Sequence, residues 1–516
     1  MKKKNILFVT IVLLAFVSGG ALESLAQPTP KKGGTINVGL NTDVISVDPH
    51  THTLDVNALV LNHVFEGLIA HGDNFQLLPV LAEKWEVTPD FKVFTFHLRK
   101  GKLFHNGREM VADDVKFSIE RFMKICPRKD LLKNVDRIEV LDKYTVRLQA
   151  KEPDASILFA LGGLSPLMAI VPKEELEKQG GTFKHPIGTG PYKFIEWKPD
   201  RYLLLERFDR YKPQPGPANG YGGERIAYLD KIKFIPITEE SVATMALLNK
   251  EIDFLQFVPF KSVEKFQKEY SKQGLVVDSK IGQSWYEVVF GLNQPVTRNV
   301  KFRQACAYAI DRQAVMQAAV WEYGALNPSL VLPDSEYHTP FHNKWYAKDV
   351  NKAKQLLQDA GYKGEEVEIL TNKKYMQMYN IAVVVQSELA AVGIKAKLNV
   401  VEWAIHTQKH LKGDFQIESY GIGPRPDPTM AYAYLKYNGF EDQYPRMKEI
   451  MNQASRTLDV EKRKKLFEEA HSLVIEGVPI IMFYNYNYIN SYWNYVKGYK
   501  NWSSQPRFWG VWLEKN

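Results

Sequence analysis

Phe94, Phe96 and Leu98 alternate with Thr95, His97 and Arg99, which predicts a half-buried strand. Val115, Ile119 and Phe122 follow on one helical face, with Asp113 placed to cap the helix. Thr35 to Leu40 predicts a strand that runs into Asn41-Thr42-Asp43 and Val47-Asp48-Pro49, and loops at strand ends often face a ligand cleft. Ile138 to Leu141 and Tyr144 to Leu148 flank Asp142-Lys143 as a hairpin. Tyr192 to Trp197 and Tyr202 to Glu206 form another, fed by the turn Gly188-Thr189-Gly190-Pro191. Pro213, Pro215, Gly216, Pro217, Gly220, Gly222 and Gly223 mark 212–225 as a surface loop.

From about Trp285 the pattern becomes α/β. Phe302, Ala305, Cys306, Ala309 and Ile310 make a helical stripe, and Ala353, Leu356, Leu357 and Ala360 make another, stopped by Gly361. Val367 to Thr371, a helix from about Tyr375 to Val392, and Ile394 to Val401 follow in βαβ order. The last of these alternates apolar with Lys395, Lys397 and Asn399, so it belongs at the periphery of its sheet. Leu466, Phe467, Ala470, Leu473 and Val474 predict an amphipathic helix, and the preceding Lys462-Arg463-Lys464-Lys465 reads as its solvated face. Val478 to Phe483 is a buried-strand candidate. The tyrosine-rich stretch from Tyr484 to Tyr499 suits a carbohydrate or nucleobase platform, or a twisted sheet edge.

The ends add an address. Lys2, Lys3 and Lys4 precede a 12-residue run from Ile6 to Val17 whose only polar member is Thr10. That run is too short for a bilayer core of about 30 Å. Ser24-Leu25-Ala26 places small residues for cleavage before Gln27, so residues 1–26 read as a signal peptide and the mature protein is expected in a periplasm. Cleavage takes the formal charge from +8 to +6 by removing three lysines and Glu23. The charges are scattered, which gives no support for nucleic-acid binding. About 490 mature residues correspond to roughly three units of about 150 residues. Cys126 and Cys306 cannot make a disulfide framework, and Cys306 lies on an apolar stripe as a buried thiol would.

Catalytic signatures are absent. There is no Gly-x-Ser-x-Gly, no Walker loop and no Arg-His-Gly, and the spacing around Gly188 and Gly190 is wrong for a dinucleotide fingerprint. Glu402, His406 and His410 would share a helix face as a chelating stripe, and His50-Thr51-His52 is a weaker candidate. Neither has the spacing of a metal site, so no metal and no cofactor are expected.

Several blocks share one resemblance. Residues 65–122, FEGLIAHGDNFQLLPVLAEKWEVTPDFKVFTFHLRKGKLFHNGREMVADDVKFSIERF, are joined by HPIGTGPYKFIEWKPDRYLLLERFDRYK at 185–212 and KEIDF at 250–254. NVKFRQACAYAIDRQAVMQAAVWEYGALNPSLVLP at 299–333 and YAKDVNKAKQLLQDAGY at 346–362 follow in order. Together they resemble the family 5 extracellular solute-binding proteins, the peptide- and nickel-type receptors of ABC importers. The resemblance implies an α/β, two-lobe periplasmic binding protein (type II, large cluster) with an extra subdomain on the N-terminal lobe. Carried onto this chain, lobe I is 27–50, 187–284 and 486–516, the subdomain is 51–186, and lobe II is 285–485. It implies capture of a peptide-like or acidic solute by a monomer, which delivers it to a permease and ATPase complex in the inner membrane, with no catalysis. An extracellular hydrolase and a ligand-sensing partner of a membrane receptor are the alternatives.

The resemblance also directs attention to Tyr420-Gly421-Ile422-Gly423-Pro424-Arg425-Pro426-Asp427-Pro428 as a cleft loop. In dipeptide-binding members an aspartate about three residues before the Asp-Pro pair holds the ligand's ammonium group. Pro424 stands there instead, and the loop resembles the Gly-Arg-x-Asp-Pro variety of other members, glutathione-binding ones included. An arginine fork suits a carboxylate or phosphate, so Arg425 either takes an acidic group of the solute or pairs with Asp427 at the turn. Trp403 matches a frequent cleft aromatic. Trp285 and Tyr286 lie near the first crossover and Tyr484 near the second. Tyr420, Trp403, Trp285, Tyr286 and Tyr484 are therefore wall candidates, with core packing as the alternative for each.

Overall fold

The computed structural model describes residues 29–515 except 164, 166, 426, 503 and 504, so the leader at 1–26 lies outside the described residues. Two long strands organise the molecule, Leu275–Phe290 and Ile480–Trp493, paired antiparallel along most of their length. At about 3.3 Å per residue each extends about 50 Å, enough to cross from one side of the protein to the other. Register shifts at Ile281/Trp285 and Tyr286/Glu287 interrupt the pairing at the crossing point.

On one side of this ribbon, Ile480–Trp493 pairs with Phe254–Leu255, which leads through Thr35–Leu40 and Lys231–Pro236 to Tyr202–Arg207 and Tyr192–Lys198. On the other side, Leu275–Phe290 pairs with Ile417–Ile422, followed by Val367–Thr371 and Ala396–Val400. Thr35–Leu40 is parallel to both neighbours, and Val367–Thr371 is parallel to both of its own. The helix Met376–Ala391 makes the βαβ connection on the second side. Ala396–Val400 ends the sheet, as its wet face predicts.

Ile36, Val38, Leu205, Ile232, Phe234, Phe254, Phe508 and Val511 share one core cluster, so the C-terminal segment packs back on the first side. Leu59, Val60, Phe65, Ala169 and Val171 join the same cluster. The stretch between Phe65 and Ala169 thus starts and ends on the core of the first side. Its middle is a separate four-stranded antiparallel sheet, ordered Ala82–Val87, Val93–Leu98, Thr145–Ala150 and Val135–Asp142. Phe94, Phe96 and Leu98 point inward against Val115, Ile119 and Phe122 of the helix Ala112–Ile125.

Three local expectations need correction. Asp113 does not cap that helix; Val111 holds the cap position, and the Asp114 carboxylate accepts its N–H at 2.9 Å while gripping Arg108 at 2.6 Å. The tyrosine stretch is not a sheet edge, because Ile480–Trp493 has partners on both sides. Lys462 to Lys465 is not uniformly solvated, because Arg463 turns inward and is 1% exposed. Gly188 and Gly190 are needed for close packing, since a Cβ at either would overlap the Val64 or His63 carbonyl. Cys126 and Cys306 are both free and buried, and burial pushes the Cys126 thiol up to about 11.

Candidate functional site

The crossing strands carry aromatic residues where the two sides meet. Register places Tyr286 opposite Tyr484, with ring centroids 5.9 Å apart, and Tyr486 stands 5.4 Å from Tyr286. Tyr488 continues the row, 5.2 Å from Tyr486, and its hydroxyl lies 2.6 Å from Ser284 Oγ. Gly421 faces Tyr286 on the neighbouring strand, and a Cβ there would come within 2.5 Å of the ring. Glycine lets the tyrosine lie against the backbone. Trp285 points away from this row and donates its indole N–H to Glu287 Oε2 at 3.1 Å. Tyr484 is fully buried.

A second aromatic group comes from the far side. Trp403 is half-buried, 4.9 Å from Tyr375 and stacked 5.8 Å from Tyr420. Tyr420 in turn stacks on His410 at 4.2 Å with a 9° interplanar angle.

Two charged residues from the two sides, Asp55 and Arg425, interact electrostatically near these rings. Asp55 opens the helix Asp55–Leu61 on the first side, half-buried, with Ser165 and Gln505 within hydrogen-bonding reach. Burial pushes its carboxyl up, while Ser165, Arg425 and Gln505 pull it down. Burial raises the phenols of Tyr375, Tyr486 and Tyr488, and the nearby Asp55 carboxylate raises them further. Arg425 enters from the second side, half-buried, and donates through Nη1 to its own loop's carbonyls, Pro424 at 3.0 Å and Gly423 at 3.3 Å. Burial and the nearby Arg128 push its guanidinium down; Tyr434, Asp55 and Tyr420 oppose them. Among the described residues Arg425 forms no salt bridge.

Asp427 is differently placed. It is fully buried, caps the helix Pro428–Tyr432 through Thr429 N–H at 2.9 Å, and binds Arg463 at 2.5 Å. The alternative of an Arg425–Asp427 turn pair is therefore replaced by an Arg463–Asp427 pair. The Arg463 guanidinium also lies 5.1 Å over Phe159, and Ala155 N–H donates to Ser455 O at 2.7 Å, so the two sides touch beside the cleft.

Glu402 is exposed; its carbonyl accepts the His406 N–H at 2.9 Å, but among the described residues its side chain does not join the histidines. His406 and His410 turn inward to Glu418. No group of three or more His, Cys, Asp or Glu able to hold a metal occurs among the described residues. His50 packs near the buried Asp48–Arg121 pair, with Nε2 3.0 Å from the Ala169 carbonyl. Tyr286 thus packs with Tyr484, and Trp403 with Tyr420, which lies near Arg425, while Trp285 and Asp427 are held by protein partners. Asp55, Gln505 and Tyr375 were not singled out in the sequence. Tyr486 and Tyr488 were covered only by the tyrosine-rich stretch.

Two sides joined by two crossing strands, with aromatic rings and the charged Asp55 and Arg425 where they meet, are the layout of a two-lobe solute-binding fold. Residues 76–444 match the model of the bacterial extracellular solute-binding proteins, family 5 Middle, and the chain belongs to that family. Family 5 proteins are solute-binding components of ABC importers, and the class binds its solutes without transforming them.

The chain is similar to the glutathione-binding protein GsiB of Salmonella paratyphi A, 26% identical over 388 residues that cover 74% of this chain and 72% of the relative. It also resembles the solved structure of the binding protein AgaA from A. tumefaciens R10 in complex with agropinic acid, with a TM-score of 0.77 and 26% identity over 94% of this chain and 99% of that one. The Helicobacter pylori protein DppA, an ABC transporter-associated periplasmic binding protein solved with the peptide STSA, gives a TM-score of 0.77 and 27% identity over the same shares.

Proposed function

We propose that this protein captures a small solute bearing an acidic group, peptide-like or of the opine kind, between Arg425 on one side and Asp55 on the other. The observation that carries this reading is Arg425: a half-buried guanidinium whose hydrogen-bond partners, among the described residues, are its own loop's carbonyls. Removing a charge from water costs free energy unless it is paired, so a solute carboxylate or phosphate supplies what the loop does not. Trp403, Tyr375 and Tyr286 give flat surface with little side-chain entropy to lose. Asp55 suits a solute amine or hydroxyl. Similarity to a glutathione-binding and an agropinic-acid-binding protein supports the same class of ligand.

The mature chain, cut from its leader, works as a monomer in the periplasm and hands the solute to a permease and ATPase complex in the inner membrane. The test is mass spectrometry of whatever co-purifies with the mature protein, followed by calorimetry with the identified compound. The expected result is an acidic compound whose affinity falls in Arg425→Ala. A neutral compound, or unchanged affinity in that variant, would overturn the reading.

A further inference from the structure

The helix Trp403–Lys412 places His406 and His410 beneath the cleft wall, on either side of the Glu418 carboxylate. His410 Nδ1 lies 2.6 Å from Glu418 Oε1, and His406 Nε2 lies 3.3 Å from Oε2. A carboxylate only accepts, so both imidazoles donate. The Asn372 amide then donates to His406 Nδ1 at 3.0 Å, which completes His406 as a neutral ring. His410 Nε2 is buried and without a partner among the described residues.

That ring lines a small cavity with Glu287, Val289, Ile422 and Tyr434, with room for about one water. Glu287 is 1% exposed. Its Oε2 accepts from Trp285, and its Oε1 has no partner among the described residues. Among the described residues no cation forms a salt bridge with Glu287. Burying a carboxylate with no bonded cation costs free energy; the neutral acid avoids that cost and has a hydrogen to donate toward His410 Nε2 through a water in the cavity.

We propose that Glu287 is present as a carboxylic acid that shares this proton with His410, and that its neutrality leaves the charge of Arg425 free for an acidic solute. The inference rests on the reading of Arg425 given above. Glu418 and Tyr420 face Glu287 from the strand Ile417–Ile422, His410 from its helix, Tyr434 from the following turn, and Arg425 from the loop. Burial pushes the Glu287 carboxyl up to about 8 against the Trp285 hydrogen bond; Glu418 adds to the rise and Arg425 opposes it. Once the proton leaves to solvent, a negative charge stands near Arg425 and competes with the solute's own.

Carboxyl-carbon and imidazole-nitrogen NMR of the solute-free mature chain, from about pH 6 to about pH 10, tests this. One glutamate should titrate near pH 8 and vanish in Glu287→Gln, while His410 shows a protonated Nδ1 and a bare Nε2 at neutral pH. Arg425→Met should raise the midpoint by about half a unit or more, since it removes the cation that favours the ionised form. A Glu287 already ionised at about pH 6, a doubly protonated His410, or an unmoved midpoint would overturn the proposal. These readouts need no solute, so they stand or fall separately from whether Arg425 grips one.

Discussion

Arg463 is 1% exposed and donates to Asp427 over 2.5 Å, with the rings of Phe159 and Tyr337 against its guanidinium. Arg425, two residues before Asp427, is half-buried and among the described residues donates only to carbonyls of its own loop. The same functional group thus serves two ends around one loop. Where the protein supplies the counter-charge, the arginine holds structure, here the start of the helix Pro428–Tyr432. Where it does not, our proposal is that the counter-charge comes with the solute. The rigid pair also fixes the loop that aims the open one.

The sharpest break of this comparison is Arg463→Ala, which strands the Asp427 carboxylate in the interior. It should cost about 3–5 kcal/mol of stability in urea unfolding; a loss below about 1 kcal/mol would mean the pair is not structural. Arg425→Ala should behave in the opposite way. Its stability should stay within about 1 kcal/mol of the parent, while affinity for the acidic solute drops by about 1.5–3 kcal/mol, the worth of hydrogen bonds to a charged group.

Asp55→Asn should cost less, about 1 kcal/mol or under in calorimetry, because its carboxylate is only partly withdrawn from water. Glu287→Gln is read in the pH dependence of stability and not as a single loss. An acid raised from 4.5 to about 8 in the folded state binds more protons folded than unfolded. Its contribution is fully present below about pH 4.5 and is lost as pH rises through about 8. The variant should flatten that part of the stability–pH curve, measured by urea unfolding at several pH values.

Local pattern made much of the fold legible. Phe94, Phe96 and Leu98 alternate because one face of their sheet is packed, and Lys395, Lys397 and Asn399 mark a sheet margin for the same reason. Asp113 was a near miss: the carboxylate at the helix start belongs to the next residue, Asp114, whose Arg108 partner the helical pattern does not reveal. The crossing strand Ile480–Trp493 is buried on both faces, so it has no alternation to read, and its partners lie some 200 residues away.

Arg463 carried a signal that was passed over. It stands four and seven residues before Phe467 and Ala470, on their stripe, but three lysines around it suggested water. His406 and His410 share a helix face, yet what that face meets, Glu418, sits on another strand. Asp55 has no local pattern at all; only the meeting of two chain segments some 370 residues apart brings it near Arg425.

The central claim is that Arg425 reads the solute's acidic group. Its most direct test is a double-mutant cycle by calorimetry. Wild type and Arg425→Met are each titrated with the co-purified compound and with its amide, in which the acidic group is neutralised. Wild type should prefer the acid by about tenfold or more, or about 1.4 kcal/mol, and Arg425→Met should bind acid and amide alike. An undiminished preference in Arg425→Met would contradict the account.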